Sequence, residues 1–359
     1  MRHVRIGLLG CGTVGGGFVQ LLERERDRIR ARFGVDLEIA RILVRDAGKE
    51  REPGVDRDLL TTCALDVIDS DCELVVEVVG GVHTAGTFVR RALARGRHVV
   101  TANKALLAAS GSELFDAAAR SGVEIGFEAS VCGGVPVIGA LRRGLAGDSI
   151  ESITGILNGT SNYVLCRMAE GLGLAEAVLR AQEAGFAEAD PSLDIDGEDA
   201  AQKLAILAQL AFEEPVRRTS VTGIAEVTPE EIERARAEGC VVRQVAEASR
   251  VAGGVSLVVE PRRVPIAHPL ARVFDEQNAV VIRGRAVGEV VLSGRGAGSM
   301  PTAAAVLSDV LCSAAAREGV SKPSASLRKM KERTANESRA SGGLHDAVSV
   351  PAVVGELGQ

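Results

Sequence analysis

The stretch that most constrains the fold of this chain begins at its fourth residue. An apolar run over residues 4–9 leads directly into GCGTVGGG and then FVQLL. A short apolar run is typical of a buried parallel strand, and G-x-G-x-x-G between a strand and a helix is the arrangement that binds a dinucleotide pyrophosphate. Gly10 permits the tight turn, Gly12 lets backbone amides approach the phosphates, and Gly15 allows close helix packing. An ordinary glycine-rich turn is the alternative interpretation.

The end of the second predicted strand, residues 37–44, bears on the choice of cofactor. Arg45 and Asp46 follow this strand, and Lys49 and Arg51 come soon after. An acid at this position accepts from the 2′-hydroxyl of NAD, whereas a base pairs with the 2′-phosphate of NADP. Three bases against one acid favour NADP. A solvated charged turn would give the same pattern.

Further apolar runs alternate with helical segments. A third strand at 74–79 ends at Gly80 and Gly81, a helix runs to about residue 95, and a fourth strand covers 98–101. This alternation predicts an α/β fold with a Rossmann-type, doubly wound parallel sheet. The fourth strand ends in TANK, which places Lys104 at the carboxyl end of the sheet, where ligands bind. A cation at a helix N-terminus opposes the helix dipole, so a functional lysine is favoured over a surface one.

A fifth predicted strand, residues 123–127, leads into EASVCGGVP. Glu128 precedes a glycine loop whose carbonyls could point inward, and a carboxylate with backbone oxygens is a donor set for a hard cation. An ordinary strand-to-helix turn is the interpretation that these residues favour by themselves.

The segment over residues 185–212, GFAEADPSLDIDGEDAAQKLAILAQLAF, sets one lysine beside six carboxylates. Pro191 and Gly197 break its first half, which we interpret as an acidic loop. Asp196 is the expected N-cap of a helix, since helix formers continue from Asp199 without proline or glycine until Pro215.

Asp199 and Lys203 share one face of this helix with Ile206 and Leu210, within a stripe roughly 60° wide. An ordinary i,i+4 ion pair contributing ~0.3–0.5 kcal/mol is the simple explanation. However, only six of the 42 basic residues are lysines. Arginine cannot release a proton near neutral pH, so a lysine kept on a half-buried face indicates proton transfer.

The rest of the chain predicts a second, α+β domain for substrate binding and dimerisation. A strand at 150–157 leaves the nucleotide domain and reaches NGTSNY, where Asn158, Thr160 and Ser161 offer side-chain hydrogen bonds. Four later strands, at 241–246, 255–259, 279–282 and 287–292, suffice for an open sheet that could support subunit pairing. We expect a dinucleotide-binding domain at 1–135 and 299–318, a substrate-binding and dimerisation domain at 136–298, and a flexible tail at 319–359, in which residues 348–354 could dock.

Composition narrows the partners and the compartment. A formal charge of −6, 3% aromatics and no tryptophan give no general attraction for nucleic acid or anionic membranes, so we expect neither partner. Seven cysteines without a CxxC pair favour the reducing cytoplasm over a disulfide framework or a zinc site. No signal-peptide pattern and no long apolar span are present in the sequence. We expect a small-molecule substrate and a homodimer or homotetramer.

Six motifs, in order across residues 4–318, resemble those of the homoserine dehydrogenase family: GCGTVGGG, VVTANKALLA, EASVCGGVPVI, ILNGTSNYVL, GFAEADPSLDIDGEDAAQKLAIL and GRGAGSMPTA. The acidic motif is highly specific. The resemblance implies NAD(P)-dependent, reversible reduction of L-aspartate 4-semialdehyde to L-homoserine, in the pathway to threonine and methionine.

The resemblance also implies roles for individual residues. Lys203 is implied as the proton donor, Asp199 as its polar companion, and Lys104 as a neighbour of substrate and nicotinamide. The expected substrate ligands are Glu188, for the amino group, with Asn158, Thr160 and Asp194. The expected cofactor contacts are Gly10, Gly12, Thr13, Val14, Gly15, Arg45, Gly80, Thr101, Asn103, Lys104, Gly185 and Gly298. A sodium ion would be held by Glu128 and the carbonyls of Val131, Gly133 and Val135.

Elementary chemistry agrees with these roles. A semialdehyde under reduction needs a hydride, a proton at the developing alkoxide, an anion for its ammonium group and a cation for its carboxylate. The sequence departs from the family pattern in GGVHTAG, where a proline would follow the glycine pair, and at Cys132, where a small residue is usual. Long members carry a C-terminal ACT domain, and we expect a short form without it.

Two other functions fit part of the pattern. A relative of the same fold could reduce a different amino semialdehyde or keto acid, although NGTSNY and FAEAD argue against it. A non-catalytic NADP-binding sensor is the third class. NADPH oxidation with aspartate 4-semialdehyde, beside other aldehydes, discriminates among the three.

Overall fold

The first half of the chain forms a parallel sheet with helices on both faces. A computed structural model describes residues 1–51, 54–212 and 214–316. The strands are β1 (Arg2–Leu9), β2 (Val35–Leu43), β3 (Leu60–Thr61), β4 (Leu74–Glu77), β5 (His98–Thr101) and β6 (Ile125–Gly126). The helices are α1 (Thr13–Phe33), α2 (Ala64–Ile68), α3 (His83–Ala94), α4 (Lys104–Arg120) and the single turn α5 (Val137–Gly139).

The strand order, β3-β2-β1-β4-β5-β6, confirms the predicted doubly wound sheet. All neighbouring strands are parallel. The chain moves outward in one direction from β1 to β3 and in the other from β4 to β6, so the direction of winding changes between β1 and β4. In such sheets, ligands bind in the crevice at the carboxyl ends of the strands flanking that point.

The continuous apolar runs of the sequence are explained by burial on both faces of this sheet. Ile6 and Leu8 pack with Phe18 of α1 on one face, whereas Leu9 belongs to the core formed with α3 and α4 on the other. Strands covered on both sides by helices are apolar without alternation.

The second half builds a mixed sheet with its own helices. Its strands are β7 (Ile150–Ile156), β8 (Val216–Val221), β9 (Cys240–Val251), β10 (Gly254–Pro265), β11 (Gln277–Gly284) and β12 (Gly288–Arg295). Its helices are α6 (Gly159–Ala169), α7 (Leu174–Glu183), α8 (Ser192–Ile195), α9 (Glu198–Phe212) and α10 (Pro229–Ala237). The order is β12-β11-β7-β9-β10-β8, in which only the β8–β10 pair is parallel.

Helix α9 holds the two halves of the molecule together. Its Leu204 and Leu207 share one apolar core with Ala248 and Leu257 of the second sheet and with Leu107 of α4. The last helix of the described residues, α11 (Ser299–Ala316), lies in the core of the first sheet. Its Val306 and Val310 pack there with residues of α1 and β1. The segments that contain the predicted site residues therefore lie between two packed layers.

Several local predictions need correction. Asp196 is not the N-cap of α9, because it ends α8 and is separated from Glu198 by Gly197, which has a φ of 87°. The carbonyl of Gly197 accepts from the Ala201 amide, as an N-cap carbonyl does. Strand β8, of sequence VRRTSV, was not predicted, because its first four residues are exposed and two of them are arginines. The expectations for the tail lie outside the described residues.

Candidate active site

A cavity of about 630 Å³ lies between the carboxyl edge of the first sheet, the acidic segment and the loop before α11. Nine predicted site residues line it: Lys104, Asn158, Thr160, Gly185, Glu188, Asp194, Asp199, Lys203 and Gly298. These residues come from segments far apart in the chain, so their convergence on one cavity is a property of the fold. An unpredicted set also contributes to the lining: Glu276, Asn278 and Arg295.

The Asp199 carboxylate is at the centre of this cavity's ionic contacts. Its Oδ2 lies 2.7 Å from Lys203 Nζ, and its Oδ1 lies 3.1 Å from Lys104 Nζ. Lys203 also donates to the Leu157 carbonyl at 2.8 Å. The side chains of Asp199 and Lys203 are 8% and 13% exposed, whereas Lys104 is 38% exposed. One buried carboxylate therefore orients two lysines from different halves of the molecule.

These contacts determine the protonation states of Asp199 and Lys203. Burial by itself would raise the pKa of Asp199, but the charges of Lys203 and Lys104 outweigh it and lower that pKa to about 2. Burial would likewise lower the pKa of Lys203, and the Asp199 carboxylate outweighs this effect, so the pKa of Lys203 is raised. Lys203 is consequently held as an ammonium at neutral pH, which is the form that donates a proton.

Asn158 connects the acidic segment to the start of α6. Its Nδ2 donates to Asp199 Oδ2 at 2.7 Å and to Asp194 Oδ1 at 2.6 Å. Its Oδ1 accepts from the Ser161 amide, the bond of an N-cap. Thr160 donates to the Phe186 carbonyl at 2.7 Å. Burial, opposed by the Asn158 hydrogen bond, raises the pKa of Asp194.

Glu188 is an exposed residue at the edge of the same cavity. Its carbonyl accepts from Gln182, and among the described residues no side chain forms an ion pair with its carboxylate. A carboxylate in this position is free to meet a cationic group of a ligand.

The glycine loop has the close contacts that a dinucleotide site requires. Gly10 has a φ of 103°, and an added Cβ would lie 2.8 Å from the Val78 carbonyl oxygen. A Cβ on Gly15 would overlap the carbonyl oxygen of Gly10. Gly12, Thr13 and Val14 form the end of α1 that faces the crevice. These residues fit a pyrophosphate.

The loop before α11 brings the cavity and the glycine loop together. Ser299 Oγ donates to the Thr13 carbonyl at 2.7 Å, and a Cβ on Gly17 would overlap that hydroxyl. Gly298 therefore lies next to the phosphate-binding turn. A cofactor bound along α1 would extend from the glycine loop towards the cavity that contains Lys203.

The end of β2 presents bases to the same crevice. Arg45 is exposed just beyond the strand. Arg51 donates to the Cys11 carbonyl at 2.8 Å and to the Asp46 carbonyl at 2.7 Å, which places it beside the glycine loop. Asp46 uses its carboxylate within its own turn, accepting from the Gly48 amide.

Thr101 and Asn103 are buried at the carboxyl end of β5, next to Lys104. The Thr101 hydroxyl donates to Glu77 Oε2 at 2.6 Å, and Asn103 Nδ2 donates to the Gly81 carbonyl at 2.6 Å. Glu77 is a fully buried acid that sequence reasoning missed. The available signal was an acid ending the apolar strand LVVE at the ligand-binding edge of the sheet.

The oxygen atoms of the loop after Glu128 differ in how they are hydrogen-bonded. Both Glu128 carboxylate oxygens accept backbone bonds, from Ile138 at 2.8 Å and Gly139 at 2.7 Å. In contrast, within the described residues no backbone amide donates to the carbonyls of Val131 or Gly133, although both residues are buried. The Val135 carbonyl accepts from the Val137 amide at 2.8 Å.

Cys132, in the middle of this loop, is a buried residue with a φ of 56°. The left-handed region is unusual for a residue with a side chain. Burial raises the pKa of its thiol to about 12 despite the nearby charge of Lys203. Cys132 is therefore a neutral neighbour of the lysine. In the part of the chain with assigned structure, acidic, histidine and cysteine side chains form no cluster of metal-ligand type, and no helix is long and apolar enough to cross a bilayer.

Two family models match this chain. The model described as homoserine dehydrogenase, NAD binding domain, matches residues 10–128, and the model described as homoserine dehydrogenase matches residues 136–311. The homoserine dehydrogenase of Bacillus subtilis is 43% identical over 315 residues, which span 87% of this chain and 73% of that protein.

Solved structures give the same result. The homoserine dehydrogenase of Thiobacillus denitrificans superimposes with a TM-score of 0.83 at 40% identity, covering 89% of this chain and 75% of that one. A hyperthermophilic archaeal homoserine dehydrogenase in complex with NADPH gives a TM-score of 0.75 at 30% identity, covering 87% and 98%.

Proposed function

The chain belongs to the homoserine dehydrogenase family, and we propose that it catalyses the reversible, NAD(P)-dependent reduction of L-aspartate 4-semialdehyde to L-homoserine. The observation that carries the proposal is the Asp199 carboxylate with Lys203 at 2.7 Å and Lys104 at 3.1 Å, in a cavity that adjoins a dinucleotide loop. We place the reaction in the biosynthesis of threonine and methionine. The seven cysteines, all present as free thiols, favour the cytoplasm.

Lys203 is the proton donor of this mechanism. When bound, the reduced cofactor supplies a hydride to the aldehyde carbon. Lys203, held as an ammonium by Asp199, donates a proton to the developing alkoxide, and Asp199 stabilises the orientation of the donor. Lys104 offers a second positive charge beside the reacting group. In homoserine oxidation the deprotonated Lys203 accepts the hydroxyl proton.

The substrate is oriented by the groups around the two lysines. The unpaired carboxylate of Glu188 receives the substrate ammonium group, a charge-assisted contact. Asn158 keeps Asp194 and Asp199 in place through its amide, and Thr160 with Asp194 completes the substrate pocket. Gly185 and Gly298, at the edge of the cavity, leave room for the nicotinamide.

NADP is the cofactor we propose. Gly10, Gly12, Thr13, Val14 and Gly15 receive the pyrophosphate at the start of α1. Arg45 and Arg51 then lie near the adenosine ribose of a cofactor bound in this way. The Asp46 carboxylate already accepts a hydrogen bond from the Gly48 amide. A 2′-phosphate pairs with guanidinium groups more strongly than a 2′-hydroxyl does.

A sodium ion in the Glu128 loop is a further part of the proposal. Val131 and Gly133 are buried, and their carbonyls lack amide donors within the described residues, which is a donor set that suits a hard cation. Glu128 and Val135 would complete it through the second lone pairs of oxygens that already accept amide bonds. A cation here would stabilise the loop that contains Cys132. The melting temperature should rise in sodium relative to choline at equal ionic strength, and Gly133→Ala should abolish that difference.

We also propose a homodimer that forms through the second sheet. Ala246 and Ala248 of β9 face α9 and are buried, whereas the alternating Glu247 and Ser249 lie on the opposite face and are half-buried. The end of that face is covered by the turn Pro269–Arg272. A second copy would cover the rest, and sedimentation velocity measures the resulting mass. A homotetramer would require one more contact.

The domain boundaries stay as proposed from the sequence. Residues 1–135 with 299–318 bind the dinucleotide, and residues 136–298 bind substrate and form the dimer. The packing of α11 in the core of the first sheet supports this division. The proposed boundary at 318 and the tail at 319–359 lie outside the described residues.

The direct test of the function is NADPH oxidation by the purified protein with aspartate 4-semialdehyde. The same assay is run with glutamate semialdehyde, simple aldehydes and keto acids. We expect kcat/KM for aspartate 4-semialdehyde to exceed the others by at least about a hundredfold, since a site whose polar groups pair with its substrate rejects compounds that leave those groups unpaired. A higher value for another aldehyde or keto acid would reassign the substrate. NADPH binding without turnover of any carbonyl compound would indicate a sensor.

A further inference from the structure

Glu77 is an acid buried in the interior of the protein to which the proposed reaction gives no role. The residue is 0% exposed and ends β4. Among the described residues, no lysine, arginine or histidine forms an ion pair with it. Burying a carboxyl group costs free energy unless hydrogen bonds compensate for the lost water. The partners of Glu77 therefore indicate what the residue does.

Three donors surround the Glu77 carboxylate. Oε1 accepts from the amides of Val79 at 2.9 Å and Gly80 at 3.1 Å. Oε2 accepts from the Thr101 hydroxyl at 2.6 Å. Thr101 is also the register partner of Glu77 on β5. One carboxylate thus fixes the turn after β4 to the end of the neighbouring strand.

The network continues from Thr101 to the start of α4. Thr101 Oγ1 accepts from the Asn103 amide at 3.0 Å. Asn103 Nδ2 donates to the Gly81 carbonyl at 2.6 Å, and Asn103 Oδ1 accepts from the Leu106 amide, which caps the helix that begins at Lys104. The turn and the base of Lys104 are therefore held by the same set of bonds.

This network lies on the nicotinamide side of the crevice. A Cβ on Gly10 would lie 2.8 Å from the Val78 carbonyl, so the glycine loop packs against the end of β4. The bases proposed for the adenosine end, Arg45 and Arg51, follow β2 on the other side of β1. A dinucleotide with its pyrophosphate at the glycine loop consequently extends its nicotinamide half over the turn that Glu77 holds.

We propose that Glu77 is a positioning residue, which holds the turn at Gly80 and Gly81 and the Lys104 end of α4 in the geometry that receives the nicotinamide half of the cofactor. The inference rests on the proposed function for the identity of the cofactor. Glu77 acts through Thr101 and Asn103 and contacts neither cofactor nor substrate. A purely structural role for Glu77 would affect stability and leave cofactor affinity unchanged.

The test compares Glu77→Gln with Thr101→Val and with the double variant. Glutamine keeps an oxygen for the two amides but loses the acceptor for the Thr101 hydroxyl. Thr101→Val removes the same bond from its other side, together with the acceptor of the Asn103 amide. Each single variant should raise the Kd for NADPH, measured by fluorescence titration, by about tenfold, the size expected for loss of a hydrogen bond to a charged group. The double variant should resemble Thr101→Val, because that variant already lacks the one bond that Glu77→Gln removes.

Glu73→Gln is the matched control. Glu73 immediately precedes β4 at its opposite end, where it forms an ion pair with Arg2 at 2.8 Å. This variant should leave the Kd for NADPH within about twofold of wild type, since its ion pair with Arg2 lies at the end of β4 opposite the crevice. In the Glu77 variants, the KM for the semialdehyde at saturating NADPH should change less than the Kd for NADPH. Most of its proposed ligands lie on the second half of the chain, and only Lys104 depends on the Glu77 network.

Three results would overturn the inference. They are an unchanged Kd for NADPH in both single variants, additive losses in the double variant, or an equal loss in Glu73→Gln. Circular dichroism and the melting temperature confirm that each protein is folded. The titration requires no turnover, so it decides the role of Glu77 even if the proposed substrate proves wrong.

Discussion

Replacing Lys203 with alanine removes the proton donor on which the proposed mechanism depends. Its ammonium lies 2.7 Å from Asp199 Oδ2 and 2.8 Å from the Leu157 carbonyl. The side chain is 13% exposed, so bulk water has limited access to its position. Alanine leaves no group at this point to protonate the alkoxide.

The expected loss follows from the chemistry of proton transfer. General acid catalysis contributes about 10²–10⁴ in rate, or roughly 3–5 kcal/mol of barrier. The effect on stability should be smaller, because Asp199 keeps Lys104 at 3.1 Å and Asn158 at 2.7 Å. Removing one partner of a buried pair costs up to about 3–5 kcal/mol when the remaining charge is left alone, which is not the case here. The variant should therefore fold.

The assay is kcat at saturating NADPH and semialdehyde, with the Kd for NADPH measured separately. Lys203→Ala should lower kcat by at least about a hundredfold with an almost unchanged Kd. Lys203→Arg should fail as well, because arginine keeps the charge but does not release the proton. Arg236→Ala, at a side chain 75% exposed on α10, is the control and should retain wild-type kcat.

A kcat for Lys203→Ala within a few fold of wild type would remove Lys203 from the mechanism. Full activity in Lys203→Arg would show that only its positive charge matters. A large loss of NADPH affinity would instead assign Lys203 to cofactor binding. Each of these results contradicts the role of proton donor.

Asp199 raises the pKa of Lys203, so this lysine loses its proton only in the alkaline range. Homoserine oxidation should therefore accelerate as pH rises through that range, while semialdehyde reduction slows. Rates that do not depend on pH in either direction would contradict the role of Lys203. Arg45→Ala should raise the KM for NADPH by about tenfold and that for NADH by much less, because only NADPH carries the 2′-phosphate; equal losses would refute the cofactor assignment. Asp309 lies on α11 and accepts from the Glu128 amide at 2.7 Å. Burial, together with the charge of Glu128, raises the pKa of Asp309 from 3.8 to about 6. The folded state therefore binds an extra proton between these pH values and loses stability as pH rises through them. Asp309→Asn should therefore raise the free energy of unfolding near pH 7 by at most about 3 kcal/mol and change it little near pH 4. Thermal unfolding at both pH values measures this difference. Equal effects at the two pH values would contradict the raised pKa of Asp309.

Features that depend on neighbouring residues were predictable from the sequence. Residues 4–9 form part of β1, and the glycines after them have the steric roles that the motif requires, since Gly10 and Gly15 leave no space for side chains. The Asp199–Lys203 contact follows from i,i+4 spacing on a helix. Its location on a buried face followed from the apolar residues that share the stripe.

Features at the edges of elements were less predictable. Asp196 and Gly197 both suit the start of a helix, and only the left-handed turn at Gly197 decided between them. The charged strand β8 lacks the apolar alternation of a half-buried strand, and it forms because β10 offers it backbone hydrogen bonds.

Contacts between distant segments were decided by the tertiary structure alone. The sequence could not show that Lys104 reaches the same carboxylate as Lys203, that Glu276, Asn278 and Arg295 line the cavity, or that both oxygens of Glu128 are occupied by amides. Local pattern determines which face of an element is buried, because that depends on the period of the helix or strand. Which side chains meet depends on how the two sheets pack around α9, and that packing is fixed by the shape of a core shared by the whole chain.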